Sequence, residues 1–205
     1  MAVTHASLTG AELHESKGVA AATSGQVYVA NGSGSGTWRA LIAGDIPANT
    51  YYKVTSQTLA STSGTSIDFT VPANTKRITV AFAGVSTNGT STYLIRLGSA
   101  GSIITTNYSS IVTHVNVAGA SSVTGFTTNG VNSSTLMSGH YFLSLLGTSI
   151  WSASCTLFDT INSIVGSAGG GYLTGAGVID KVRITTVNGT DTFDAGTITV
   201  TSESF

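Results

Sequence analysis

What this chain has least of is charge. Lys, Arg, Asp and Glu together make up 8% of its 205 residues, against roughly 25% in a typical soluble domain. Eight basic and nine acidic residues leave a formal net charge of −1. Apart from Lys76-Arg77 the basic residues stand singly. No basic stripe exists to neutralise phosphates, so nucleic acid is not the expected partner. Cysteine occurs once, at Cys155, which excludes an intramolecular disulfide. Within the strand-like run 150-IWSASCTLF-158 it reads as a small buried hydrophobe rather than a nucleophile. No apolar run approaches the ~18 residues of a membrane-spanning helix. The first residues carry neither a basic start nor an apolar stretch, so no signal peptide is expected. No fixed-period repeat or heptad array is visible.

Chemistry-bearing patterns are equally sparse. His14-Glu15 forms an H-E pair, but a metalloprotease helix needs a second His four residues after the first, and position 18 is Gly. His5 and His14 read as polar interface residues, although one His per chain around a three-fold axis leaves an axial ion open. His114 and His140 read as hydrogen-bonded strand residues. No G-x-S-x-G elbow occurs, and nothing local ties a Ser to a His. The acids are Glu12, Glu15, Asp45, Asp68, Asp159, Asp180, Asp191, Asp194 and Glu203. None forms an evident pair for glycoside hydrolysis, and Asp191 and Asp194 flank a turn, where Asp commonly bonds to backbone. The loop 31-NGSGSG-36 lacks the lysine and spacing of a phosphate-binding loop. No enzyme, cofactor or resident metal is expected.

What is abundant is the small hydroxyl. There are 33 Thr and 28 Ser, with 25 Gly and only two Pro, a composition suited to many short strands joined by tight turns. From Tyr51 onward the period is two. Strands are predicted near 53–60, 66–71, 76–83, 92–97, 111–117, 122–128, 140–146, 150–158, 178–187 and 193–201. They are separated by Asn88-Gly89, Asn129-Gly130, Asn188-Gly189 and the Gly169-Gly170-Gly171 run. In 76–83, Ile78, Val80 and Phe82 share one face. The last two strands look like a long C-terminal hairpin. The pattern predicts an all-β, antiparallel, jelly-roll-like sandwich over 51–205.

Residues 1–50 differ and read as a small N-terminal arm. Thr9 and Glu12 form a capping-box pattern with Gly18 as a stop, so a short helix is predicted over 9–17. The strand 26-QVYVA-30 follows, then the glycine-serine loop and Trp38, Leu41, Ile42 and Ile46, with Pro47 ending the unit. Too few large apolar groups are present to offset the arm's own ordering entropy, so it would order by docking.

The run 8-LTGAELHESKGVAAATSGQVYVANGSGSGTW-38 resembles a module at the start of tailed-bacteriophage virion proteins of the head-decoration, head-fibre and tail-fibre types. The matching features are L-T-G-x-x-L-H-E-x-K-G-V, G-Q-V-Y-V-A-N-G and G-S-G-x-W. The run 61-STSGTSIDFTVPANTKRITVAFAGVSTNGTSTYLIRLGSAG-101 is similar to β-domains of phage fibre and structural proteins through S-I-D-F-T, K-R-I-T-V and G-V-S-T-N-G-T-S. Val71-Pro72-Ala73-Asn74 stands where ordinary members often carry Gly-Ile or Trp. The resemblance covers a little over a third of the chain. It implies a homotrimer on the virion surface, made in the host cytoplasm. The motifs do not select a part of the virion; 205 residues with no coiled coil or β-helix shaft make the capsid the expected location rather than the tail. The arm would anchor to the major capsid protein or other virion proteins through Leu8, Leu13, His14, Val19, Val27, Tyr28, Val29 and Trp38. The alternative expectation is a short tail fibre or receptor-binding protein. There the loops 127–135 and 163–173, with Tyr141, Phe142, Trp151 and Tyr172, would contact a host surface glycan.

Overall fold

Period-two sequence becomes strand almost wherever it occurs. A computed structural model of the chain describes residues 22–31, 36–45, 52–114, 117–128, 133, 135–159 and 165–204. Among these there is no α-helix, and no helix is long and apolar enough to cross a membrane. The helix expected over 9–17 lies outside the described residues. The chain divides into two units, Met1–Thr50 and Tyr51–Phe205.

In the first unit, β1 (Val27–Ala30) pairs antiparallel with β2 (Gly36–Arg39), and a single 3₁₀ turn follows at Ala43–Asp45.

The second unit holds two antiparallel sheets. The smaller contains β4 (Ser66–Thr70), β6 (Tyr93–Ser99), the short β7 (Ser102–Ile103), β10 (Phe126–Thr127) and β14 (Ile179–Thr186), in the order β10-β6-β14-β4 with β7 beside β6. The larger contains β3 (Lys53–Ala60), β5 (Thr75–Thr87), β8 (Tyr108–His114), β9 (Val117–Ser122), β11 (Met137–Leu146), β12 (Ile150–Asp159), β13 (Val165–Leu173) and β15 (Phe193–Ser204). Its order is β3-β15-β5-β11-β12-β13-β8-β9. Alternate residues of both sheets meet in one hydrophobic cluster, so the sheets pack face to face. Phe69, Leu97 and Val182 come from the smaller sheet; Val80, Tyr141, Leu157 and Ile198 come from the larger. Ile78, Val80 and Phe82 all point into this core, as their spacing requires.

Two expectations are corrected. Strands β14 and β15 do not form a hairpin: β14 pairs with β4 and β6, whereas β15 pairs with β3 and β5. The turn between them is real. Asn188 Oδ1 accepts from the backbone N–H of Thr190 (3.1 Å) and Asp191 (3.2 Å), while Asp191 Oδ2 accepts from Ser91 N (2.9 Å). That turn carries the chain from one sheet to the other. Second, Gly169-Gly170-Gly171 is not a separator but the middle of β13. A Cβ at Gly169 or Gly171 would overlap backbone of β8, and one at Gly170 would overlap the Ala153 carbonyl of β12. Only glycine lets the three strands sit so close.

Candidate functional site

The anchoring residues predicted in the arm fall into two sets. Leu8, Leu13, His14 and Val19 lie outside the described residues. Val27, Tyr28, Val29 and Trp38 lie together on the β1–β2 hairpin. Tyr28 and Trp38 are register partners, their rings in edge contact at 5.6 Å and 60°, the kind of cross-strand pair that stabilises a short ribbon. Gly36 is small because a Cβ there would run into the Val29 backbone. The turn after the hairpin is pinned by Asp45, whose carboxylate takes both guanidinium nitrogens of Arg39 and the Ile42 N–H (2.8 Å). The Arg39 hydrogen bonds hold Asp45 below the usual carboxylate range. This leaves Leu41 (54%) and Ile42 (60%) exposed, so the unit presents apolar side chains beside a tied turn.

In the larger unit a histidine and a carboxylate meet with little exposure to water, His114 and Asp159. His114 Nε2 lies 3.1 Å from Asp159 Oδ2, with both side chains nearly covered. The pair spans β8 to β12 across β13, and His114 Nδ1 is buried without a hydrogen-bond partner. Cys155 is buried on β12, and burial pushes its thiol pKa up. That is the opposite of what a nucleophilic cysteine requires. Among the described residues no three His, Cys, Asp or Glu side chains group as metal ligands.

The aromatic residues proposed for glycan contact divide cleanly. Tyr141 and Trp151 are core residues, fully enclosed; the Tyr141 hydroxyl donates to the Thr127 carbonyl. They are removed from any contact surface. Phe142 (48%) and Tyr172 (51%) are exposed. The segment 163–173 is not a free loop either, because 165–173 is β13. Within 127–135, residues 129–132 and 134 lie outside the described residues.

Phe142 and Tyr172 lie on the outward face of the large sheet, and register defines that face. One row reads Ser56, Thr201, Thr79, Phe142, Ser154, Gly170, Ile111 across seven strands. The next reads Thr58, Thr199, Ala81, His140, Thr156, Ala168, Thr113. The third runs Val54, Glu203, Arg77, Ser144, Ser152, Tyr172, Ser109. Besides the Tyr172 phenol, the ionisable groups in these rows are His140, Arg77 and Glu203, and the last two oppose one another at 3.9 Å. Hydroxyls bond across strands, Ser56 to Thr201 (3.0 Å) and Thr58 to Thr199 (2.8 Å). The His140 ring packs against Phe142 at 4.5 Å. The face is thus mostly hydroxyl and apolar, with little charge.

No family model matches the chain, and no curated protein or solved structure matches it.

Proposed function

We propose that the chain is a non-enzymatic structural protein of a tailed-bacteriophage virion. In this reading it is a homotrimeric capsid-decoration protein of the cement or head-fibre type, anchored through residues 1–50. The L-T-G-x-x-L-H-E and G-Q-V-Y-V-A-N-G motifs of the arm support it, as do S-I-D-F-T, now β4, and K-R-I-T-V within β5. The arm would include the short helix expected over 9–17.

The wiring of the larger unit supports a jelly roll at its centre. Take β3, β4, β5, β6, β10, β11, β14 and β15 as strands one to eight. The large sheet then runs 1-8-3-6 and the small sheet 2-7-4-5, which is the arrangement of two interlocked Greek keys. The remaining long strands are insertions: β8 and β9 between strands four and five, β12 and β13 between six and seven. Both insertions extend the large sheet beyond β11.

One observation carries the reading. A small hairpin unit with exposed Leu41 and Ile42 precedes a sandwich whose large sheet turns outward a face rich in hydroxyls and poor in charge. Attachment would fall to the first and coverage of a surface to the second. The test is reconstruction of intact particles by cryo-electron microscopy, with head and tail masked separately. Density at local three-fold positions of the capsid is the expected result. Density confined to the tail or baseplate would overturn the capsid assignment in favour of a short tail fibre.

A further inference from the structure

We propose that the outward face of β8, β11, β12 and β13 is the surface on which a second copy of this chain seats. The inference rests on the self-association in the reading above and names the surface responsible for it.

The outward face is not uniform. On its β3, β15 and β5 side the outward positions are Ser56, Thr58, Thr199, Thr201, Thr79 and Ala81, with the Arg77–Glu203 pair and one exposed apolar residue, Val54, in the third row. On the inserted side five large apolar residues stand out instead: Ile111 (55%), Phe142 (48%), Leu146 (53%), Ile150 (41%) and Tyr172 (51%). Four of them form a chain of neighbours, and Phe142 stands on the same face in the row of Ile111, with Ser154 and Gly170 between the two. Leu146 and Ile150 are direct register partners. Tyr172 is diagonal both to Ile150 across β12–β13 and to Ile111 across β13–β8, within the reach of side chains of this size. Ser152, Ser154 and Gly170 floor the space between them. Phe158 (45%) continues the apolar character further along β12.

Size and charge point to the occupant. Large side chains cover roughly 150–250 Å² each when buried, so five half-exposed ones leave on the order of 450 Å² of apolar surface. A standard interface buries about 800 Å² per partner, with charge depleted and aromatics enriched at its centre. The patch supplies more than half of such a surface. A copy carrying a net charge of −1 meets no electrostatic penalty there. A glycan would leave Leu146, Ile150 and Ile111 without stacking partners; a protein surface of the same character would not.

The test uses the full chain at about 5–100 μM, concentrations at which an interface of this size assembles. Light scattering on the parent should give three times the 20.7 kDa chain mass. The pair F142S and Y172S, at outward strand positions where Ser already occurs, should lower the mass toward one chain. Ser56→Lys, on the hydroxyl side, should leave it unchanged. Circular dichroism establishes that each variant keeps its strands, and the parent's Tm should rise with protein concentration while the double variant's does not.

A folded double variant that keeps the threefold mass overturns this inference and leaves the trimer standing. A parent mass of two chains, lost in the double variant, supports the surface and overturns the trimer. A monomeric parent overturns both. So would a monomeric parent that binds glycans through Phe142 and Tyr172, which would make the face a receptor site.

Discussion

The three glycines of β13 offer the sharpest check on the large sheet. In Gly169→Ala the new methyl would come within 2.6 Å of Val112 Cα and 2.8 Å of its Cγ2, besides overlapping the Ile111 carbonyl. In Gly171→Ala it would meet Ser110 Cα and Cβ, both at 2.7 Å. The obstacles are largely backbone, so a flexible side chain cannot swing away and β13 must part from β8. Overpacking of this kind costs about 1–3 kcal/mol. The entropy that alanine removes from the unfolded chain offsets roughly 0.5–1 kcal/mol of it. The net loss is centred at about 1 kcal/mol and reaches about 2.5 kcal/mol, or roughly 2–10 °C in Tm for a chain of this size. Gly166→Ala, on the same strand, is the control. Its methyl would find only a Phe158 ring carbon at 3.8 Å, so it should gain up to about 1 kcal/mol. Guanidinium melts followed by fluorescence of Trp151, buried on the adjacent β12, measure all three. If Gly169→Ala proves as stable as Gly166→Ala, β13 does not lie pinched between β12 and β8. The rows that define the outer face would then be wrong.

Alkaline pH and the buried His–Asp pair give two more. Burial raises the pKa of Tyr93 and Tyr108 to about 12, and Tyr141 is raised further in the same direction and for the same cause. The fold thus retains protons that the unfolded chain releases near pH 10. This stabilisation is complete below about pH 10 and is lost as pH rises toward 12, at up to about 1.4 kcal/mol per pH unit for each tyrosine. Denaturant melts across that range, with tyrosinate absorbance as a second signal, should show a steep fall beginning near pH 10. A flat profile would refute the burial assigned to these phenols. For the pair, Asp159→Ala strips His114 Nε2 of its partner while Nδ1 already lacks one, so it should cost about 1–3 kcal/mol. The double variant D159A with H114L should recover part of that loss. A double variant less stable than the single would show that the pair is not the isolated unit the geometry describes.

Sequence reading succeeded where one residue's environment follows from its neighbours along the chain. Ile78, Val80 and Phe82 alternate, and all three are buried. Cys155 lies in an apolar run, and it is buried as well. It failed where the deciding contact is far along the chain. Asn188-Gly189 is a turn in either reading, but local chemistry does not say which sheet receives β15. The glycine run of β13 resembles a loop until the carbonyls of β8 and β12 are beside it. Those strands belong to segments about 15 to 60 residues earlier. Tyr141 and Phe142 differ by one position and have opposite fates, because alternation assigns neighbours to opposite faces without saying which face is the core. The candidate surface was invisible for the same reason: Ile111, Phe142, Leu146, Ile150 and Tyr172 come from four strands and meet only in the folded sheet.

Fold stability does not account for those five residues. Outward positions in the same rows are filled by Ser144, Ser152, Ser154 and Ser109, and on the far side by Thr79, Thr199 and Thr201, so hydroxyl side chains satisfy the strand requirement on this face. A β-domain could have used them throughout. Scattered exposed apolar residues need no explanation, but these are neither scattered nor evenly spread. They occupy β11, β12, β13 and β8, whereas the outward rows of β3, β15 and β5 hold a single exposed large apolar residue, Val54. Strands β12, β13, β8 and β9 carry the sheet on from β11, giving the apolar residues a broad platform instead of a narrow rim. A second copy that covered the platform would bury apolar surface that the hydroxyl rows do not offer. Assembly should therefore respond to substitutions at Phe142 and Tyr172 and be indifferent to those at Ser56.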